Sequence, residues 1–253
     1  MRPLRIASLS LTVAILFPAN AAAAAEDRTP ILDMLYVGTD VGVSILPDVK
    51  TRPIAASPGT IGLSGLEIDM DAGVDWSIEV GLRLSEQWSV GVQSGYVYNR
   101  IRGIGAGTFT SIAPDPVTGG EGHFGQVPIL VNGLFEIPLA AADSSLGALR
   151  LQLGAGLGAV HVDGSVTADG GGAVVGLEMN ADGGDWTFAY QGTAALLWAI
   201  DPNVHVGIRY RFMGTTAADL GPISESSGVL APGNLETNAV FTHAIQASLV
   251  IRF

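Results

Sequence analysis

The segment Phe241–Phe253 alternates between apolar and more polar side chains. Its odd positions are apolar except for His243, whereas its even positions include Gln246 and Arg252. Successive side chains leave a β-strand on opposite faces, so this pattern predicts a strand with one apolar face and one mixed face. The pattern also restricts the register, because a shift of one residue would exchange the two faces.

Seven further stretches show the same alternation, which makes eight predicted strands in total. Each of them has an apolar face and a more polar face. An even number of strands is what a closed antiparallel barrel with both ends on one side of a membrane requires. The seven stretches are residues 35–45, 72–84, 88–99, 126–137, 149–160, 186–200 and 203–212.

The composition indicates a membrane protein that crosses the bilayer with strands. The mean hydropathy is +0.40 and only 14% of the residues are charged. Beyond the N-terminus, however, no apolar run reaches the roughly 18 residues that a spanning helix needs. In hydrocarbon, only helices and closed barrels pair every backbone polar group. The predicted fold is therefore all-β, an eight-stranded antiparallel transmembrane β-barrel with short periplasmic turns and four long extracellular loops.

The N-terminus has the features of a secretory signal peptide. Arginines precede the apolar run Ile6–Phe17, and small residues follow it up to Ala25. A positive segment, a short apolar segment and a small-residue cleavage zone are the three parts of such a peptide. A membrane anchor is the alternative, but the apolar run is short for a span. We expect cleavage of residues 1–25, a short periplasmic segment at 26–33 and a barrel at 34–253.

Charge and cysteine content exclude several classes of function. The chain has 24 acidic against 12 basic residues, a formal net charge of −12. Nucleic acid is therefore not an expected partner, because phosphate binding needs a basic surface. The sequence has no cysteine, which excludes disulfides, thiol nucleophiles and cysteine-based metal sites.

Nine charged residues lie on the more polar face of the predicted strands. A register shift would turn them toward lipid, where an arginine at mid-bilayer costs about 2–4 kcal/mol. We therefore expect them inside the barrel, where a buried charge must be paired to be tolerated. The predicted luminal polar network comprises Asp40, Asp75, Glu79, Arg83, Glu136, Arg150, Arg209, Arg211 and Arg252.

Aromatic residues are grouped at the two ends of the predicted strands. Amphipathic rings settle at headgroup depth, so two belts are expected at two membrane interfaces. Aromatic residues in a soluble core would not be sorted by strand end. The predicted periplasmic belt comprises Trp88, Trp198 and Phe253, and the predicted outer belt comprises Trp76, Tyr96, Tyr98, Trp186, Phe188, Phe212 and Phe241.

Short and long connections alternate along the chain, which is the usual asymmetry of outer-membrane barrels. The long connections are rich in Gly, Pro, Ser, Thr and Asp, so we expect little regular structure within them. The short connections lie near 85–87, 140–147 and 201–202, and the long ones are about 47–70, 100–124, 163–185 and 214–239.

Four segments carry a resemblance to a known family. Gln126–Asn132, Phe188–Gln191, Gly207–Phe212 and Ile251–Phe253 resemble the opacity-protein and OmpA-like group of small, porin-like eight-stranded outer-membrane barrels. The resemblance extends over roughly residues 34–253 and rests on the order and spacing of the strands. No peptidoglycan-binding domain follows the barrel in this sequence, so we do not expect anchoring to the cell wall.

The resemblance implies a location and partners. The expected location is the outer membrane of a Gram-negative-type bacterium, with the chain as a monomer in contact with outer-membrane lipid. A long alternating strand that ends on an aromatic residue, here Phe253, is what such barrels offer to the barrel assembly machinery.

The predicted luminal network leaves two interpretations open. A salt-bridged plug would block the lumen, because eight strands enclose just enough space for side chains. A gated narrow pore would instead open a water path when the ion pairs rearrange. Paired carboxylates for glycosidase chemistry are excluded, because a filled lumen denies access to a substrate.

The histidines do not indicate an enzyme. Lipid A deacylases and related outer-membrane enzymes use a His beside a Ser near the lipid boundary. Neither His161 with Ser165 nor His243 with Ser248 forms a base–nucleophile set on one strand face. We expect no catalytic residues, and we expect interface or loop positions for His123, His161, His205 and His243.

The acidic segment 163–185 offers oxygen ligands of the kind that Ca²⁺ prefers. It matches neither the EF-hand spacing nor the nonapeptide repeat of calcium-binding β-rolls. A flexible, solvated loop is the preferred interpretation, and we expect no metal and no cofactor.

The sequence therefore predicts an integral outer-membrane barrel with a structural or surface-interaction role, whose loops face a possible extracellular partner. The principal alternative is a narrow passive channel for small solutes. An outer-membrane lipid-modifying enzyme ranks low. An exported soluble barrel for an apolar ligand ranks low as well, because it would need the opposite assignment of faces.

The barrel assignment predicts heat-modifiable migration on a denaturing gel, because a closed hydrogen-bonded barrel stays folded in detergent until it is heated. Deleting Phe253 is expected to remove the folded form, since the terminal strand would lose the residue presented for assembly. Identical migration of boiled and unboiled samples of the full chain would contradict the assignment.

Overall fold

The structure is a computed structural model that describes residues 31–110, 115–140, 148–170, 177–225 and 230–253. The predicted signal peptide lies outside the described residues. In the described part of the chain, no helix is long and apolar enough to cross a membrane. A 3-10 helix (Leu32–Met34) precedes fourteen strands: β1 (Leu35–Ile45), β2 (Val49–Lys50), β3 (Gly62–Leu63), β4 (Glu67–Met70), β5 (Gly73–Arg83), β6 (Trp88–Ala106), β7 (Thr108–Thr110), β8 (Asp115–Pro138), β9 (Ala148–Gly170), β10 (Glu178–Asp201), β11 (Val204–Thr215), β12 (Asp219–Glu225), β13 (Asn234–Glu236) and β14 (Val240–Arg252).

Eight of these strands close into an antiparallel ring. From β1 the neighbours are β5, β6, β8, β9, β10, β11 and β14 in turn, and β14 pairs again with β1. The closing pair aligns Tyr36 with Arg252 and Ile45 with His243. The predicted eight-stranded antiparallel barrel is confirmed. Closure pairs both edges of the sheet, which the bilayer demands of any membrane-spanning sheet.

The two faces of the ring strands differ in the way that the alternation predicts. Apolar side chains on the outer face are exposed, with Val131 at 57%, Leu157 at 60% and Ile208 at 66%. The intervening side chains point inward and are buried, and many of them are polar. An apolar exterior around a polar interior suits a barrel that is surrounded by hydrocarbon.

The expectation of little regular structure in the long connections is wrong. The ring strands β6, β8, β9 and β10 continue well beyond the predicted stretches, and β8 has 24 residues. A membrane-crossing strand needs only about 9–11 residues. The part of the barrel wall formed by β6, β8, β9 and β10 therefore extends beyond the membrane. It does so at the end of the barrel where the long connections lie.

Short strands from the first and last long connections complete this projecting region. Strand β4 pairs with β6, β12 pairs with β10, and β3 pairs with β7. A bridge between Thr51 and Thr237 joins the two connections directly. We call this region the cap, and its described residues are 46–72, 100–110, 115–124, 162–170, 177–185, 216–225 and 230–239.

The cap folds because its apolar side chains bury one another. Leu66, Phe109 and Leu235 are exposed by 1% or less and belong to a single hydrophobic cluster. Two of the glycines that suggested irregular loops have backbone conformations that favour glycine. Gly59 lies in a turn with a φ of 85°, and Gly221 lies at a register irregularity of β12 with a φ of 88°. The apolar residues between the turns outweigh the turn-rich composition.

The same hydrophobic cluster continues into the cap-side half of the barrel interior. Val97, Phe124, Val160 and Met213 point inward from four ring strands and join the cap core. The interior therefore becomes more apolar toward the cap, although buried polar residues reach the same level: Asp75 pairs in register with Val97.

The cap core predicts a local effect of Phe109→Ala. Removing a fully buried Phe costs about 3–5 kcal/mol, which should open the cap to protease while the heat-modifiable barrel survives. Phe188→Ala is the matched control, since Phe188 is 50% exposed on the outer face. Equal protease resistance of the two variants would show that the cap does not depend on this core.

Candidate functional site in the barrel lumen

The luminal end nearest the short turns is organised around Glu136 of β8. Its carboxylate accepts from Arg252 at 2.5 Å, from Arg150 at 3.3 Å and from the Gln152 amide at 3.1 Å. The Glu136 side chain is only 6% exposed. Two guanidinium groups and an amide from β14 and β9 thus compensate one buried carboxylate and tie opposite walls of the barrel together.

A second cluster forms around Asp40 of β1. Arg209 Nε lies 3.4 Å from the Asp40 carboxylate, and both side chains are 3% exposed or less. Ser77 and Ser248 donate to the same carboxylate. Arg209 also donates to Gln152 at 3.0 Å, so this cluster continues into the Glu136 cluster.

A third cluster centres on Glu79 of β5 and consists mainly of neutral groups. Tyr36 donates its hydroxyl to Glu79 at 2.6 Å, and Asn132 donates its amide to the other carboxylate oxygen. The Gln191 amide reaches both Gln93 at 2.5 Å and Asn132 at 2.7 Å. Side chains from five ring strands therefore meet across the lumen.

The most deeply buried ion pair joins Arg211 of β11 to Asp75 of β5 at 2.5 Å, with side-chain exposures of 1% and 0%. Two further guanidinium nitrogens of Arg211, Nε and Nη1, have no hydrogen-bond partner among the described residues. The pair is therefore the principal compensation for both charges.

Glycines on the inner face make room for the largest of these side chains. A Cβ at Gly81 would lie 2.6 Å from the Tyr36 ring, and one at Gly91 would lie 2.5 Å from the Tyr36 hydroxyl oxygen. Both distances are far below van der Waals contact. The narrow barrel holds Tyr36 only because the facing positions lack side chains.

The structure buries seven of the nine predicted network residues inside the barrel and leaves two at its mouth. Arg150 is 31% exposed and pairs with Glu136, whereas Arg83 is half-buried and has no carboxylate within ion-pair distance among the described residues. The buried seven are Asp40, Asp75, Glu79, Glu136, Arg209, Arg211 and Arg252.

Sequence reasoning missed the neutral members of the network. They carry no charge to mark them, although they occupy the same inward positions of the alternation as the charged residues. Their inward position in the alternation was the sequence signal that could have identified them. The missed residues are Tyr36, Gln93, Asn132, Gln152 and Gln191.

The expectation for His205 is wrong. It was assigned to an interface or loop, but its side chain is buried in the lumen at 1% exposure. The alternation of β11 places it on the same face as Arg209 and Arg211, so the inward position follows from the period of the strand.

The other three histidines lie on the outer face beside aromatic rings. His243 shares a hydrogen bond of 2.7 Å with the Tyr210 hydroxyl, and His161 makes an edge contact with Trp186. The expectation that His161 and Ser165 do not share a strand face is wrong, because both lie in β9 four positions apart and point to the same side. His123 stacks on Tyr98 and lies 3.5 Å from a carboxylate oxygen of Asp163.

The residues of the predicted belts lie on the outer face, at both ends of the membrane-spanning part. At the short-turn end, Trp88 and Trp198 are 54% and 53% exposed, and Trp88 contacts Phe135. At the cap end, Phe212 stacks on Phe241 at a ring distance of 5.9 Å. The predicted outer residues Trp76, Tyr96, Tyr98, Trp186 and Phe188 also point outward, and Phe253 is exposed at the other end.

Within the described residues, no three side chains of His, Asp or Glu are grouped to hold a metal ion. The segment 163–185 is not a flexible loop over its described residues, because β9 and β10 pair continuously from Asp169–Glu178 to Asp163–Gly184.

A closed ring with an apolar exterior, outward aromatic residues at both ends and a paired polar interior is an integral outer-membrane β-barrel. No protein-family model matches the chain, and no curated protein matches it in sequence.

Several solved outer-membrane structures are similar to the chain. Neisserial surface protein A matches with a TM-score of 0.41 and 13% identity, covering 87% of this chain and 97% of its own. The outer membrane protein OprG from Pseudomonas aeruginosa matches with a TM-score of 0.47 and 9% identity, covering 88% and 98%. The Ail protein of Yersinia pestis matches with a TM-score of 0.35 and 11% identity, covering 85% and 98%.

The buried Arg211–Asp75 pair predicts that removing one partner lowers the free energy of unfolding much more than removing both. Arg211→Met strands the Asp75 carboxylate and should lower the unfolding free energy by about 3–5 kcal/mol. Adding Asp75→Leu should recover most of that loss, because no unpaired charge remains. The measurement is urea unfolding in lipid vesicles, followed by tryptophan fluorescence.

Arg52→Met is the control for this experiment. It breaks the Arg52–Glu236 pair, whose side chains are 55% and 42% exposed, and should change stability by about 0–1 kcal/mol. Equal losses from Arg211→Met and Arg52→Met would contradict a dominant role for the luminal pair.

Proposed function

We propose that the protein has a structural and surface-interaction role in the outer membrane and does not conduct solutes in its resting form. The observation that carries this proposal is the double closure of the lumen. Paired charges and amides cross the barrel from Glu136 to the Asp75–Arg211 pair, and the hydrophobic cap core closes the end beyond them.

The polar groups support the proposal because the buried charges Arg252, Arg209 and Arg211 each pair with a carboxylate on another strand. Opening a path would separate Arg252 from Glu136 or Arg209 from Asp40 within a low-dielectric interior. Breaking a buried pair typically costs about 3–5 kcal/mol. Several such pairs would have to rearrange together, because Gln152 hydrogen-bonds to both clusters.

The cap supports the interaction role. Unlike flexible loops, its paired strands hold a fixed surface above the membrane, and that surface carries exposed carboxylates such as Glu121, Glu178 and Asp182. A fixed acidic surface favours a partner with basic groups and makes association sensitive to salt.

Planar-bilayer recording separates this proposal from the channel alternative. We expect no discrete conductance from the wild-type chain, and none from Arg209→Ala, because the cap core remains closed. Conductance steps of the wild-type chain that change in Arg209→Ala or Glu79→Ala would favour the narrow channel instead.

Adhesion of cells that display the protein tests the interaction role. Phe109→Ala, which disrupts the cap and leaves the barrel, should reduce adhesion to host or neighbouring cells. Phe188→Ala should leave adhesion unchanged. Adhesion that is independent of the cap would count against a surface-interaction role.

A further inference from the structure

A cavity of about 350 Å³ opens at the short-turn end of the barrel. We call it the periplasmic vestibule, since short turns face the periplasm in these barrels. Its volume falls within the range of about 300–1,000 Å³ that small-molecule sites occupy. The lining residues are Arg83, Glu86, Gln87, Pro138 and Arg150.

The vestibule is basic, although the chain as a whole is acidic. Arg83 ends β5 and Arg150 lies near the start of β9, so two arginines face the cavity from separate strands. Arg252 lies deeper and interacts electrostatically with both of them. Three guanidinium groups thus lie at this end of the barrel, and two of them, Arg150 and Arg252, pair with one buried carboxylate, Glu136.

Among the described residues, the carboxylates do not balance these three charges. Glu136 forms ion pairs with Arg252 and Arg150, with nitrogen–oxygen distances of 2.5 Å and 3.3 Å. Arg83 has no carboxylate within 4.0 Å among the described residues, and Glu86 is exposed on the turn between β5 and β6. Repulsion among the guanidinium groups is therefore only partly compensated by the protein.

We propose that the periplasmic vestibule binds a phosphate-type oxyanion, with Arg83 as its principal ligand and Arg150 as the second. The planar guanidinium fork matches phosphate oxygens and forms charge-assisted hydrogen bonds to them. The negative charge of such an anion reduces the repulsion that Glu136 leaves uncompensated. This site goes beyond the surface role of the cap and does not depend on it.

Two kinds of ligand present a phosphate group at the periplasmic face. One is soluble phosphate or a phosphomonoester, and the other is the headgroup of a phospholipid in the inner leaflet. Both present the same oxygen atoms to Arg83, so the experiment has one arm for each source.

The test uses the full-length folded protein in a non-ionic detergent. Inorganic phosphate is titrated by calorimetry, and phosphatidylglycerol added to the same micelles is counted on the protein by native mass spectrometry. Arg83→Gln should weaken binding at least tenfold. Arg83→Lys should retain part of it, because the charge remains while the fork is lost. Heat-modifiable migration of each variant verifies folding.

Arg52→Gln is the matched control, because Arg52 is exposed in the cap at the opposite end of the molecule. Saturable phosphate binding that depends on Arg83 and not on Arg52 supports the site with a soluble ligand. Retention of phosphatidylglycerol with the same dependence supports it with a lipid headgroup. Absence of both, or equal loss in Arg83→Gln and Arg52→Gln, would overturn the proposal.

Discussion

The fold depends on one constraint: within the hydrocarbon, every backbone N–H and C=O must be paired inside the chain. The pairing of β1 with β14 satisfies it by removing both edges of the sheet. Once the ring is closed, strand geometry directs alternate side chains to lipid and to the lumen. The apolar exterior and the polar interior are thus two results of one closure.

The small diameter of the ring then determines how the interior is filled. Eight strands leave room for side chains and little else, so inward charges must find partners within the lumen. Glu136, Asp40, Glu79 and Asp75 each do so with groups on other strands. Inward glycines such as Gly91 admit a side chain as large as Tyr36. Neutral amides complete the bonds that charges alone would leave unmade.

The interior is not uniform along the barrel axis, and its change in character bears on function. Toward the short turns it is polar and ends in the basic periplasmic vestibule. Toward the cap it becomes more apolar and merges with the core around Phe109 and Leu235. Hydrophobic burial outside the membrane holds the cap strands together. One end of the molecule thus presents a fixed acidic surface, and the other presents arginines.

The alternation of side chains was enough to predict the fold class, the number of ring strands and the face on which their residues lie, because alternation is local and repeats with every ring strand. It also places His205 on the inner face, but the prediction of an interface or loop position did not follow the alternation and was wrong. The pairing of the charges depends on long-range contacts, since Arg211 and Asp75 are 136 residues apart and Arg252 and Glu136 are 116 residues apart. The cap was likewise decided by tertiary contacts, because strands as short as β3 and β13 are stable only when distant apolar residues bury them together.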